Sequence, residues 1–190
     1  MESNWEWSLA HPLHDVEDIV HLADHTYSVN MHGIMDRDPA VFRHRVTVAT
    51  TEQLFNKGKE LIAVCRGPNQ VVPLYDANMM LMGHDTVRPL LGFCWFDRGG
   101  YTTYSNEEIS NAKFHHVDLS LPVRTRIRLI DEMIDQHILW AAKYGVPVVC
   151  STSIRSDYEG FMKIHKRRGF TVNGSYAWIR TEDGIKCLTK

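Results

Sequence analysis

Between Phe114 and Phe170 the chain follows an order of elements that few folds accommodate. Phe114 to Leu121 reads as an apolar strand, Pro122 turns the chain, and a long amphipathic helix follows. In that helix Ile127, Ile130, Ile134, Ile138 and Ala141 recur at steps of three and four, while Arg124, Arg128, Asp131, Asp135 and Lys143 fall on the other face. Gly145 stands where a left-handed C-terminal cap is expected. Val146-Pro147-Val148-Val149-Cys150 is apolar without alternation, as in a strand covered on both faces. Strand, helix and strand joined by so long a crossover specify a parallel, right-handed βαβ unit. A short basic helix then ends in Ile164-His165-Lys166-Arg167-Arg168-Gly169-Phe170.

The flanking sequence adds strands and helices to this unit. Trp5 to Ala10 alternates large apolar and polar residues, and Pro12 breaks the pattern. Asp15 and Asp18 can cap a helix whose Val16, Ile19, Val20 and Ala23 share a face. Asp38-Pro39 starts one or two further helices running through Phe42, Val46, Leu54 and Phe55 to Gly58, with β-branched residues weakening the middle. Glu60 to Arg66 and Pro89 to Asp97 read as antiparallel neighbours. The connection between them contains Pro68, Pro73, Tyr75 and Met79-Met80-Leu81-Met82 and is too long for a simple hairpin. Its methionines either fill a gap in the core or form an adaptable partner-binding surface. Asp97 to Gly100 turns the chain toward Tyr101-Thr102-Thr103-Tyr104. Near the end, Asn173-Gly174 predicts a tight hairpin, with final strands at Tyr176 to Ile179 and Ile185 to Leu188. The expectation is one α/β domain over residues 1–190, a mixed sheet of six to eight strands with helices on both faces.

Composition narrows the function classes. With 44% hydrophobic and 23% charged residues in 190, the chain can bury a substantial core and lacks the marks of disorder. A net charge of −2 gives no general footprint for nucleic acid, although Arg124, Arg126, Arg128 and Lys163, Lys166, Arg167, Arg168 form local basic clusters. Cys65, Cys94, Cys150 and Cys187 are widely spaced, and three lie in apolar runs. They read as small buried residues of a reducing, intracellular (cytoplasmic) compartment rather than disulfide or zinc partners. Neither a secretory leader nor an 18-residue apolar window is evident, so no membrane partner is expected. His11, His14, His21, His25 and His32 are close in sequence, but no third ligand joins His21 and His25, and no metal site is expected.

In the order of its parts, Phe114 to Phe170 resembles the acetyl-CoA-binding half of the GNAT superfamily of acyltransferases. That family has a strand, a phosphate-binding turn opening a helix, a buried strand, and a short helix ending in Gly-Phe. The family's turn carries Arg or Gln, two variable residues, Gly, one variable residue, then Gly or Ala. The corresponding positions here are Val123, Arg124, Thr125, Arg126, Ile127 and Arg128, so both small residues are arginines. The resemblance implies a GNAT-like fold and an N-acyltransferase that moves an acetyl group from acetyl-CoA, its co-substrate, to an amine acceptor. The turn's backbone N–H groups would receive the pyrophosphate, and the arginines would either obstruct it or bind it themselves. The resemblance also assigns the polarised carbonyl to backbone around Asp118 to Leu121, including Leu119, where a bulge splays the sheet in family members. His165, in place of the family's tyrosine, becomes the proton donor. For the base, Asp118 and His116 are candidates, with Glu107 and Glu108 outside them. Alternation along a strand puts His116 and Asp118 on one face, His115 and Val117 on the other. The alternative is an inactive GNAT-fold structural or assembly protein, for which viral proteins are one setting, with a protein partner instead of a substrate. A nucleic-acid-binding module is disfavoured by the acidic balance.

Overall fold

The computed structural model describes residues 4–30, 38–75, 77–101, 105–153 and 158–188; Thr102 to Tyr104 of the expected strand and His32 lie outside them. In chain order the elements are β1 (Glu6–Leu9), α1 (Val16–Asn30), α2 (Pro39–Phe55), β2 (Glu60–Arg66), β3 (Gln70–Tyr75), β4 (Leu81–Val87), β5 (Leu90–Tyr101), β6 (Glu108–Val117), α3 (Val123–Lys143), β7 (Val148–Thr152), α4 (Tyr158–Arg167), β8 (Thr171–Asn173), β9 (Tyr176–Arg180) and α5 (Thr181–Leu188). Seven strands form one sheet in the order β1-β2-β5-β6-β7-β9-β8, and β3 and β4 form a separate ribbon. Within the large sheet only β6 and β7 pair in parallel, across the α3 crossover read from the sequence.

Alternation along the central strands builds two cores. Ile62 and Val64 of β2 and Phe93 and Trp95 of β5 pack with Ile19, Val20, Val46 and Ala49 of α1 and α2. Ala63, Cys65, Cys94 and Phe96 point the other way, onto Leu129, Met133, Ile134 and Ile138 of α3 and Phe161 and Ile164 of α4. Helix α2 is continuous despite its β-branched middle. Asp38 caps it by accepting from the N–H groups of Ala40 and Val41, and the hydroxyls of Thr47, Thr50 and Thr51 bond back to carbonyls of the preceding turn. Buried Gln53 then ties it to the sheet, donating to Ala10 O at 2.6 Å and accepting from Ile62 N at 2.9 Å. Helix α3 ends at Gly145, which takes φ 69°, and Val146 N–H donates back to Ala141 O.

Four local expectations are corrected. The strand read as ending at Leu121 ends at Val117, and Asp118 to Leu121 form the turn, with Leu121 N–H donating to Asp118 O. The turn read at Asp97 to Gly100 is a bulge within β5, which runs on to Tyr101. Asp15 does not cap α1; its carboxylate accepts from His11 N–H and from Arg66 at the end of β2. Ile185 to Leu188 belongs to helix α5, not to a strand. β9 already has β7 and β8 on its two edges, Glu182 and Asp183 favour a helix N-terminus, and buried Gly184 lets α5 approach α3, since a Cβ there would lie 3.0 Å from Ile138. The tight hairpin stands between β8 and β9, its two turn residues being Gly174 and Ser175.

Candidate active site

The parallel pair parts midway. β6 and β7 are in register from Ile109–Val148 to Ala112–Ser151, after which β7 stops at Thr152 and β6 continues to Val117. A bulge accompanies the divergence. Across β5, Trp95 pairs with Phe114 and Phe96 with Ala112, which leaves Lys113 unmatched. The extra residue resets the alternation, so that His115 and Val117 face α3 and α4 while Phe114 and His116 face α1 and α2. The bulge thus lies upstream of Asp118 to Leu121, where the resemblance had put it. Asp118 N–H donates to Leu91 O at 2.9 Å, and by alternation the N–H of Val117 turns away from β5 toward the gap.

Where the strands part, a cleft of about 990 Å³ opens between the end of β6, the start of α3 and the flank of α4. Val117, Leu119, Val123, Ile127 and Ile130 give it an apolar wall, and Arg126, Lys163, Lys166 and Arg167 a basic rim. The N-terminus of α3 opens here behind Pro122, with no side-chain cap and no acidic residue in the first turn. Its first intrahelical donor is Arg126 N–H, to Pro122 O at 3.0 Å. The N–H groups of Val123 to Thr125 precede that bond, and the positive end of the helix dipole is not offset by a carboxylate. The two arginines that replace small residues diverge. Arg126 lines the cleft, and its buried Nε has no hydrogen-bond partner among the described residues. Arg128 is held outside by Glu132 at 3.1 Å and by the Trp5 ring at 4.9 Å. Of the expected cofactor positions, Leu119, Val123, Arg126 and Ile127 line the cleft. Arg124, Thr125 and Arg128 do not, and Leu121 packs against the core.

The three expected catalytic residues lie apart. His165 is fully buried behind Phe161, 6.0 Å between ring centroids from His115. Its Nδ1–H donates to Phe161 O at 3.1 Å, which leaves Nε2 a lone-pair acceptor without a partner among the described residues. Burial pulls its pKa down to about 4, so the ring is neutral at neutral pH and has no proton to give from Nε2. Nor does His165 line the cleft. Buried His137 is likewise neutral, pulled down to about 3. It stacks on Phe96 and bonds Ser110 Oγ at 2.6 Å. His116 packs between Phe93 and Phe114.

Asp118 faces a second cleft, about 630 Å³, on the other side of the strand, where His14, Asp18, His21, His25, Arg66 and Arg88 also stand. Ser120 N–H donates to Asp118 Oδ1 at 2.8 Å and fixes the carboxylate in its turn. Arg66 is committed to Asp15, Asp18 and Arg88 O, and Arg88 to Glu6 and Gly67 O. Glu107 and Glu108 are held elsewhere, by Arg180 and Arg98. Among the described residues no group of three or more His, Cys, Asp or Glu is placed to hold a metal ion.

Compared by sequence, the chain matches no family model and none of the curated proteins. Compared by structure, it superimposes on many solved acetyltransferases. YncA from Salmonella typhimurium, assigned as an acetyltransferase and solved with its cofactor acetyl-CoA, matches with TM-score 0.63 at 14% identity over 94% of this chain and 95% of its own. An N-acetyltransferase from Staphylococcus aureus Mu50 matches with TM-score 0.61 at 16% identity over 94% and 99%. A point mutant of the toxin AtaT, bound to acetyl-CoA and to the C-terminus of the antitoxin AtaR, matches with TM-score 0.56 at 12% identity over 99% and 100%. The chain has the GNAT fold.

The GNAT fold thus accounts for the order β6-α3-β7-α4 and for the parting of the two parallel strands. Sequence reasoning passed over Tyr158, Glu159, Ile130 and Phe161 as cleft residues. Phe161, Ile164 and the basic residues Lys163, Lys166 and Arg167 recur at helical steps along α4, and that periodicity was the available signal.

Proposed function

We propose that this protein is an acetyl-CoA-dependent N-acetyltransferase acting on an amine. The carrying observation is the cleft where β6 leaves β7, which unites an apolar wall, an uncapped helix N-terminus and the buried, unpartnered Nε of Arg126. An apolar slot suits a pantetheine arm, and a helix N-terminus beside a guanidinium suits a diphosphate. Arg126 then binds phosphate rather than blocking it, while Arg128 stays with Glu132. Acetyl-CoA in two of the fold's solved neighbours supports the same ligand.

In this reading the end of β6 separates donor from acceptor. Val117 faces the donor cleft, and its N–H, free of β5, polarises the thioester carbonyl. Asp118, facing the second cleft, takes a proton from the incoming ammonium, and His116 beside it is a core residue. The amine nitrogen attacks the carbonyl carbon, a C–N bond forms, and the C–S bond breaks. The CoA thiolate leaves along the apolar wall and takes up, through solvent, the second proton that the nitrogen sheds as the amide forms; it needs less help than an alkoxide would, because a thiol's ordinary pKa is about 8.5. His165, fully buried and outside the cleft's lining, takes no direct part in this reading.

The test is to incubate the protein with acetyl-CoA and a panel of primary amines and to follow free thiol. Amine-dependent thiol release abolished by Asp118→Asn is expected. Release that ignores the amine would contradict the proposal.

A further inference from the structure

The ribbon of β3 and β4 is unusual for this chain because, among the described residues, it shares no substantial packing with the large sheet or with any helix. A two-stranded hairpin alone is marginally stable in water, and a buried face is what ordinarily sustains one. This one buries little: Val71, Leu74, Met79, Met80, Leu81 and Met82 are all exposed, Met79 to 76%. From Gly67 to Val87 the sequence contains two aspartates and neither Lys nor Arg, so the ribbon is apolar and acidic.

The same chain carries a surface of opposite character. Helix α2 buries Val46, Ala49, Thr50 and Gln53 on one side. On its outer side Val41, Val48 and Phe55, two turns apart, form an exposed apolar stripe, with Phe55 at 87%. Beside them stand exposed His44, Arg45 and Lys57. Arg45 has no ion-pair partner among the described residues. An apolar acidic ribbon and an apolar basic helix face are complementary in both respects.

We infer that the β3–β4 ribbon is an arm through which two copies of this chain associate, the arm of each seating on the outer face of the other's α2. A two-fold arrangement of this kind makes the contact twice, and each copy supplies both halves. The methionines suit the role, since their unbranched side chains adapt to a ridged helix surface. The contact is independent of the donor cleft, and acetyl-CoA binding proceeds without it.

The test is sedimentation of the full chain at roughly 50 μM, above the micromolar limit for most interfaces of standard size. Wild type is expected at the mass of a dimer. An arm variant, Met80→Ser with Met82→Ser, and a helix variant, Val48→Asp, are each expected to sediment as monomers. All these positions are exposed, and unchanged circular dichroism and acetyl-CoA titration report an intact fold. Mixing the two variants is the deciding step. One copy still offers an intact arm and the other an intact α2, so association is expected to return in the mixture with one contact of two. A monomeric wild type would overturn the proposal, as would dimers that either variant leaves unchanged. A mixture that stays monomeric would overturn it too, and a dimer that survives in one variant alone would point to arm-to-arm or helix-to-helix pairing.

Discussion

Val117 and Asp118 are adjacent in sequence and line different clefts, one against α3 and α4, the other against α1. The separation predicts how their substitutions divide. Asp118→Asn keeps the turn's acceptor for Ser120 N–H and removes the base. Turnover should fall by about 10²–10⁴-fold with acetyl-CoA affinity unchanged. An equal loss of affinity in a binding titration would place Asp118 with the donor instead.

Arg126 and Arg128 are predicted to differ although only Ile127 separates them. Arg126→Ala should weaken acetyl-CoA binding by about 1.5–3 kcal/mol, roughly 10- to 100-fold, the range for a charge-assisted contact. Arg128→Ala loses its contact with the Trp5 ring and an exposed pair with Glu132, a class worth about 0–1 kcal/mol; both lie outside the cleft, so affinity should stay nearly intact. Tighter binding after Arg126→Gly would show that the side chain obstructs the cleft.

The fold was legible where periodicity was long. The stripe from Ile127 to Ala141 and the unbroken run at Val146 admitted one reading, and Gly145 fixed the join between them. Legibility failed where tertiary context outweighs local pattern. Ile185 to Leu188 looks like a strand until β9 is seen with both edges taken, and the strand after Phe114 seemed to continue to Leu121 because leucines in a turn score as apolar. The site was legible in its elements but not in its side-chain directions. Lys113's bulge decides which of His115 and His116 faces α4, and one extra residue in a strand leaves no mark in composition.

Three buried imidazoles predict acid sensitivity. Burial holds His137 at about 3, His165 at about 4 and His115 well below its ordinary value. In the unfolded chain each titrates near 6.5, so between about 6.5 and 4 the unfolded state binds more protons and stability rises with pH. Each contributes at most about 1.4 kcal/mol per pH unit. Asp135, raised to about 6 chiefly by burial, opposes them below that pH and leaves a net of about two protons. Urea unfolding should therefore show stability intact above pH 6.5 and falling steadily toward pH 4.5, with a shallower slope for His137→Gln. A flat profile would mean that the imidazoles are hydrated.

Thiol chemistry follows burial as well. Cys65 is pushed up to about 12 by desolvation and Cys94 is raised further, Cys150 is buried, and Cys187 is half-buried. A disulfide reagent should modify one thiol at most in the native protein and four after unfolding. Rapid native modification of three or more would show that the core between sheet and α3 opens readily.

The most direct measurement of the central claim is calorimetric titration of the protein with acetyl-CoA at moderate salt, beside the same titration of Arg126→Ala. The cleft's N–H donors, dipole and guanidinium predict micromolar binding, about −8 kcal/mol, weakened by the substitution and by added salt. Absence of heat and of any thermal shift at millimolar acetyl-CoA would contradict the acetyltransferase reading.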